Sequence, residues 1–539
     1  MIQQSSTSMV EEVRSSVDEW KAARALLSTA VQSYLSACNS LAAACTRPAR
    51  TLSECDTVEN TLVLVDAELD AMSSEIQSLG ASQLSMSTLR NRSSRLTRIN
   101  VLPPEILRHI FRLSTTECVR DARAKGCYNA LSRVDMYWRQ VSLDTPELWT
   151  HIDVSPTTAT RSLYELSRTL LERSKGEPVH LHVYEPQQTL FGGITSEGEV
   201  YQLTKFLSPY IPRVVGINLE TETQSARLVH SVMRLWSKIG TAKITDFSAK
   251  LLPSQFCDHL SIPSGCGLPE VISSTRPRTL HLKDIQIDWE SSFCRNLFDF
   301  RLQSCGDFGI DLAPKSLEKM LLKSPKLSVL KLHEVAVTKG RLLDEEISPV
   351  TLESLRVLNL VKLDLEPLQL VLSLIHQPNP LARLSVGLTF YDELTDEYRA
   401  FFSRCHVSTL YLESPAEHLS LPCLPSGLSH LIIFQSDLSQ PPFIHAPLAD
   451  SQPRAIVYVT LVSCVVTLEG LVSLVAETGA QVLNLDCCLT DRLMDLEGTV
   501  NKVCDETRSE LVEVYPDLVC SVSDVDTTAG MACRTIFDD

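Results

Sequence analysis

Three rhythms of apolar and polar positions divide the chain. Val10, Val13, Val17, Trp20, Leu27, Val31, Tyr34, Cys38, Leu41 and Cys45 recur at alternating steps of three and four, with Arg24 the single break. After Pro48 the same rhythm restarts at Cys55 and runs through Val58, Leu62, Val65, Leu69, Met72, Ile76 and Leu79. A narrow apolar stripe with polar flanks is the pattern of coiled-coil packing. A proline between two stripes stops one helix and lets the chain turn. The spacing predicts two heptad helices over residues 1–99. They form a hairpin in which each seam covers the other, or a dimerisation region that self-associates through residues 10–99; both satisfy the pattern. Gly80 and the serines after it predict a weakened end to the second helix.

The second rhythm is short and dense. In "VLPPEILRHIF" (101–111), Pro103 and Pro104 suit a helix start, where a missing N–H costs nothing. Ile106, Leu107, Ile110, Phe111 and Leu113 then cover more than one helical face. "TTECVRDARAKGCYNA" predicts a long charged loop, and beyond it Leu131, Val134, Trp138 and Val141 lie on one stripe. Thr145-Pro146-Glu147 marks a third start, leading to Leu148-Trp149. Three short helices over residues 100–154 have too little surface to bury all of these groups, so an apolar face is left for a partner, either within the chain or outside it.

Beyond residue 155, short Leu-x-Leu strands recur between loops and weak helices. "LSVLKL" (Leu327–Leu332) and "LRVLNL" (Leu355–Leu360) are the cleanest copies. The second apolar positions, Leu282, Leu302, Leu332, Leu360, Val386, Leu412, Ile433, Leu461 and Leu485, are separated by 20 to 30 residues. A leucine-rich repeat takes about 20–29 residues. The expectation is an irregular solenoid with a parallel sheet over 155–505 and a tail over 506–539. "VHLHVYE" and "VVGINLE" read as earlier strands, and "AIVYVTLVSCVVTL" as a buried strand too short to span a bilayer. The predicted class is α+α/β: heptad helices, a small three-helix domain and a repeat array.

Alternation along those strands assigns faces. With the leucines inward, His281, Lys283, Arg301, Gln303, Lys331, His333, Asn359, Tyr411, Glu413, Phe434 and Asn484 line the open, concave side. The first strands place a basic cluster on a chain of net charge −17. His281, Lys283, Arg301, Lys331, His333 and Tyr411 are therefore the candidate client-binding residues, suited to an acidic or phosphorylated segment. Ordinary solvated charges satisfy the same pattern.

Charge and motif content narrow the rest. A net charge of −17 argues against nucleic acid or an anionic membrane as general partners. The N-terminus lacks the pattern of a signal peptide, and no segment reads as transmembrane. The 17 cysteines include no C-x-x-C pair, which reads as reduced thiols in a cytoplasmic or nuclear protein. No phosphate loop, nucleophile elbow, zincin or dinucleotide motif occurs, so no catalytic residue, metal or cofactor is expected. His180 and His182 share a strand face, but no third ligand stands at a telling spacing.

Leu102-Pro103-Pro104-Glu105-Ile106-Leu107, Ile110-Phe111, Leu131, Val134, Trp138-Arg139 and Leu148-Trp149 together resemble an F-box. They are similar above all to the fungal F-box proteins, in which a heptad helix often runs into "LPPEIL" and an irregular leucine-rich-repeat-like region follows. The resemblance spans residues 100–154. It implies docking on a Skp-type adaptor and, through it, on the cullin of a ubiquitin ligase. Leu102, Pro103, Ile106, Leu107, Ile110 and Trp138 would be the adaptor contacts. Val134-Asp135-Met136-Tyr137 stands where the family often has a Val-Cys-Arg-like stretch. The implied role is substrate recognition, with an unknown client held by the repeats. An interaction scaffold without ubiquitin transfer is the second reading.

Overall fold

The computed structural model describes residues 2–46, 52–91, 98–120, 130–156, 161–185, 196–221, 228–229, 231–232, 244–251, 260–261, 277–287, 289, 292–304, 312–337, 347–379, 384–389, 391–413, 420–421, 424–425, 427–438, 443–444, 456–490 and 505–523. The chain divides into two compact units, Met1–Leu102 and Pro103–Asp539.

In the first unit, α1 (Ile2–Cys45) and α2 (Leu52–Asn91) follow the two predicted stripes. Pro48 lies outside the described residues. Helix α2 does not weaken at Gly80 but continues to Asn91. One glycine costs a helix about 1 kcal/mol, which many turns absorb. The serines are accommodated because their hydroxyls bond back one turn, as Ser78 does to Ser74 O (3.0 Å) and Ser82 to Ser78 O (3.1 Å). The Tyr34 hydroxyl is raised in pKa chiefly by its hydrogen bond with Cys38, with smaller contributions from Glu68 and Glu75. The seams of both helices stay largely uncovered.

The second unit begins with α3 (Pro104–Arg120), α4 (Met136–Leu143) and a 3-10 turn (Pro146–Trp149). Helix α3 takes in the first part of the stretch predicted as a loop; residues 121–129 lie outside the described residues. Besides two-residue strands in small separate sheets, the described residues then give β1 (His151–Val154), β2 (Val179–Tyr184), β3 (Val214–Thr221), β4 (Asp246–Leu251), β5 (Thr279–Lys283), β6 (Asp299–Gln303), β7 (Val329–His333), β8 (Val357–Leu360), β9 (Leu384–Thr389), β10 (Val407–Glu413), β11 (His430–Phe434), β12 (Tyr458–Val462), β13 (Val482–Asp486) and β14 (Val519–Ser523). They form one sheet in chain order, every neighbouring pair parallel. Mixed helices and a long parallel sheet thus define the class. The sheet starts before residue 155 and ends beyond 505: β1 and β14 fall in segments expected to be helical domain and tail.

One face carries two apolar rows in register. The first runs Ile152, Leu181, Ile217, Phe247, Leu280, Phe300, Leu330, Leu358, Val386, Leu410, Leu431, Val459, Leu483. The second includes Leu282, Leu302, Leu332, Leu360, Leu388, Leu412, Ile433, Leu461 and Leu485. Both are buried, as are Leu317 and Leu321, Leu368 and Val371, and Leu471 and Leu474 on helices of the connections. Val386 was expected in the second row but lies in the first, and Leu388 takes its place. A slip of two residues keeps every side chain on its face, so alternation alone did not reveal it.

The chain leaves its strands by a recurrent device. Asp284, Glu334, Lys362, Gln435, Ser463 and Cys487 each adopt a left-handed conformation, with φ between 48° and 60°, just beyond β5, β7, β8, β11, β12 and β13. The turn exposes one amide to the next strand: Gln435 N donates to Val462 O (3.0 Å) and Ser463 N to Asp486 O (2.9 Å).

Candidate docking surfaces

Around α3 the apolar residues divide between a core and an uncovered strip. Leu107, Phe111 and Trp149 are fully buried. The Phe111 and Trp138 rings lie 4.9 Å apart, the Trp149 indole donates to Ser142 O (2.8 Å), and the Arg173 guanidinium lies 4.7 Å over the Trp149 ring. Ile106, Ile110, Leu113, Val134 and Met136 remain exposed, by 36% to 68% of their surface. Among the expected adaptor contacts, Pro103 is exposed, Leu102 and Trp138 are half-buried, and Ile106 and Ile110 belong to the strip. Leu107 departs from that expectation: it is fully buried and offers no surface. One helical step turns it about 100° from Ile106 and puts it on the side of Phe111, four residues on, with Ile110 at the edge of that side. Asp135 caps α4 by accepting a bond from Trp138 N (2.7 Å). The cap starts the helix and sets the backbone that carries Trp138.

The second surface is the sheet face opposite the apolar rows. Its middle row reads Asp153, His182, Asn218, Ser248, His281, Arg301 and Lys331 across β1–β7, then Asn359, Gly387, Tyr411, Ile432, Thr460, Asn484 and Ser521 across β8–β14. Lys283, Gln303 and His333 stand in register in the row above. The predicted sharing of a face therefore holds in the strand registers for His281, Lys283, Arg301, Lys331 and His333, with Tyr411 farther along.

Exposure differs from expectation. Lys331 is fully buried, Arg301 is 3% exposed and Tyr411 2%. Side chains on parallel strands about 4.8 Å apart hem one another in along the row. Arg301 is also neutralised: its Nε and Nη2 donate to Asp299 at 2.9 and 2.7 Å, and His281 Nε2 lies 3.3 Å from the same carboxylate. Burial alone would raise the Asp299 pKa, but His281 and Arg301 outweigh it and hold the carboxyl at about 2. Lys283 is half-buried and Lys362 exposed. Burial first, then the charges of Lys362 and Lys283, push His333 down to about 4. The more exposed cations beside His333 are thus Lys283 and Lys362, rather than Arg301 and Lys331, and Lys362 Nζ lies 4.0 Å from Glu334 Oε1.

A second ionic cluster was not foreseen. His182 Nδ1 lies 2.8 Å from Asp153 Oδ1 and its Nε2 3.3 Å from Glu220 Oε2, with Lys250 Nζ 4.0 Å from Glu220 Oε1. Burial opposes the imidazolium, yet the two carboxylates raise the His182 pKa, and His182 in turn lowers that of Glu220. His180, on the same strand face, has another partner: it stacks on His151 with centroids 5.0 Å apart. It leans over Gly216, where an added Cβ would come within 2.1 Å of its Nδ1. Among the described residues no group of three or more His, Cys, Asp or Glu is arranged to hold a metal ion.

Farther along, the row is joined by neutral bonds. His430 Nε2 lies 3.0 Å from Thr460 Oγ1, Asn484 Nδ2 donates to Thr460 (3.4 Å), and Ser521 Oγ donates to Asn484 Oδ1 (2.7 Å). Tyr411, Ile432, Val462 and Val361 form an apolar cluster with Phe434 against it. No family model matches the chain, and no curated protein matches it either.

Proposed function

We propose that the chain is a non-catalytic substrate receptor of a cullin-type ubiquitin ligase. The small helical domain docks a Skp-type adaptor, and the polar face of the sheet holds a client protein. The observation that carries this reading is the exposed strip Ile106, Ile110, Leu113, Val134 and Met136 on a domain whose own core is already closed by Leu107, Phe111 and Trp149. Contiguous apolar surface on an otherwise packed domain fits a protein partner. In this reading residues 151–523 are an irregular leucine-rich-repeat solenoid, supported by parallel strands laid down in chain order and by the left-handed residue that follows many of them. Catalysis by the complex comes from proximity, as a bound client lysine meets a tethered ubiquitin donor at high effective concentration. Such complexes work in the cytoplasm or nucleus; no described helix is long and apolar enough to cross a membrane.

The test is binding of the full chain to a purified Skp-type adaptor. Complex formation that is lost in Ile106→Glu and weakened in Trp138→Ala, with circular dichroism unchanged, supports the proposal. A folded wild-type chain that does not bind the adaptor replaces it with the scaffold reading. For the client, charge reversal belongs at Lys283 and Lys362, the more exposed cations beside His333. Reversal at Arg301 or Lys331 would disturb folding first.

A further inference from the structure

Helix α1 is exposed on every side. All residues from Glu11 to Ala44 are in contact with solvent over much of their surface, and the seam residues Val13, Val17, Trp20, Leu27, Val31, Tyr34 and Leu41 keep 40–54% of theirs. A surface helix normally carries charge on the faces it does not bury. From Ala25 to Cys45, however, there are 21 consecutive residues without one charged side chain, in a chain that is 21% charged. This half of α1 has neither the charged coat of an exposed helix nor, over its seam residues, a cover within its own unit.

Charge and area decide the occupant. Helix α2 carries seven carboxylates against a single arginine, Arg90. A contact between two α2 helices would set acid on acid, whereas two copies of Ala25–Cys45 bring no like charges together. The seven exposed seam side chains of α1 are about half uncovered. At roughly 150 Å² for a large apolar side chain, they amount to roughly 500 Å² per copy. That stands in the upper part of the range for the largest patch on a monomer, about 300–600 Å², and the charge-free residues beside the seam extend it toward the roughly 800 Å² that each partner buries in a stable complex. Ala23, Ala30, Ala37 and Ala44 recur at seven-residue steps along one edge of the seam, leaving room for close approach of a second backbone.

We propose that α1 is a self-association surface, on which two copies of this chain pair through the seam Leu27, Val31, Tyr34, Cys38 and Leu41 with their acidic α2 helices outside the contact. The pairing is independent of the adaptor reading. It would present two client faces in one assembly, so that a client with two docking segments gains from effective concentration.

Sedimentation velocity of the full chain at tens of micromolar tests it. The expected mass is twice 59.9 kDa for wild type and for Ile76→Glu on α2. The expected mass is that of a monomer for Leu27→Glu/Val31→Glu, with an unchanged circular dichroism spectrum. A monomeric wild-type chain overturns the proposal, as does a dimer that persists in Leu27→Glu/Val31→Glu or is lost in Ile76→Glu. Dimerisation with adaptor binding absent would sustain this inference while removing the ligase reading; the reverse result would do the opposite.

Discussion

The first seven members of the sheet's middle polar row and the last seven share strand direction and register, yet they make different surfaces. From Asp153 to Lys331 the row is ionic, held by carboxylates that neutralise His182, His281 and Arg301. From Asn359 to Ser521 it carries no charged residue and is held by hydroxyl and amide bonds around Thr460 and by the Tyr411 cluster. Behind both, the same leucine rows supply the core. Backbone architecture is thus decoupled from surface chemistry, and recognition has to be read from the face residues. Under the proposed receptor function, a two-part face suits a segmented client, acidic toward Lys283 and apolar or aromatic toward Tyr458, which is 45% exposed.

The largest expected effect breaks the ionic half. Asp299→Asn leaves the Arg301 guanidinium, 3% exposed, without its countercharge. Removing one partner of a buried pair costs about 3–5 kcal/mol. Thr460→Val in the neutral half removes hydrogen bonds without stranding a charge, at about 1 kcal/mol. Hydrogen exchange of β5–β7 against β11–β13 measures both, and equal costs would collapse the distinction. The pH dependence follows the same pair. With its pKa held at about 2, below an unfolded value of about 3.8, Asp299 contributes stability present above pH 4 and lost as pH falls toward 2. Asp299→Asn should lack that acid-labile component.

Next in size are the rows the two halves share. Leu302→Ala and Leu461→Ala each remove a fully buried side chain from the second apolar row and should each cost about 2–5 kcal/mol. Similar losses of protection around the two sites would show one continuous core. A much smaller loss at Leu461 would show that the halves differ in packing as well as in surface chemistry.

The apolar rows were largely legible because a strand buried on one face repeats every two residues. Leu302, Leu332 and Leu461 could be placed without any neighbour in view. The polar face was legible as a list of residues but not as chemistry. Arg301 looked like a free cation because its partner, two residues back on the same strand, reads in sequence as another solvated charge. Asp153 and Glu220 act on His182 from two other strands, and only the register brings them together. Strand β14 escaped because "VCSVS" is a weak apolar pattern; at the sheet edge Val519 is 62% exposed. In the helical domain, composition marked the apolar excess, but only the phase of α3 separates Leu107 in the core from Ile106 and Ile110 on the strip.

A smaller effect tests whether the turns behind the two halves are equivalent. Glu334 follows the ionic half at φ 56° and Gln435 lies in the neutral half at φ 48°. A β-branched residue resists this conformation, so Glu334→Val and Gln435→Val should each lower stability by about 1–2 kcal/mol. Glycine at either position avoids the Cβ clash and should be tolerated far better than valine. Thermal unfolding of the four variants measures this. A valine tolerated as well as glycine at one site would show that its turn relaxes, and that the two halves leave their strands by different routes.

The smallest effect separates the halves by pH. The His182 pKa is raised by Asp153 and Glu220 against the opposing effect of burial, so its stabilisation is complete below the unfolded value of about 6.5. It is lost as pH rises through the higher folded value. Burial lowers the pKa of His430, so that residue is already neutral in the fold and contributes no further change above pH 6.5. Raising the pH from 6.5 should therefore reduce hydrogen-exchange protection in β1–β3 and leave β11–β12 unchanged, once the intrinsic acceleration of exchange is removed. His182→Gln should abolish the difference. At acid pH the comparison blurs, because burial also lowers His151 and His180 beside β1–β3, and both then weaken the fold as they take up protons. The alkaline window isolates His182. A flat profile there would mean that its carboxylate clamp contributes nothing to holding the first strands together.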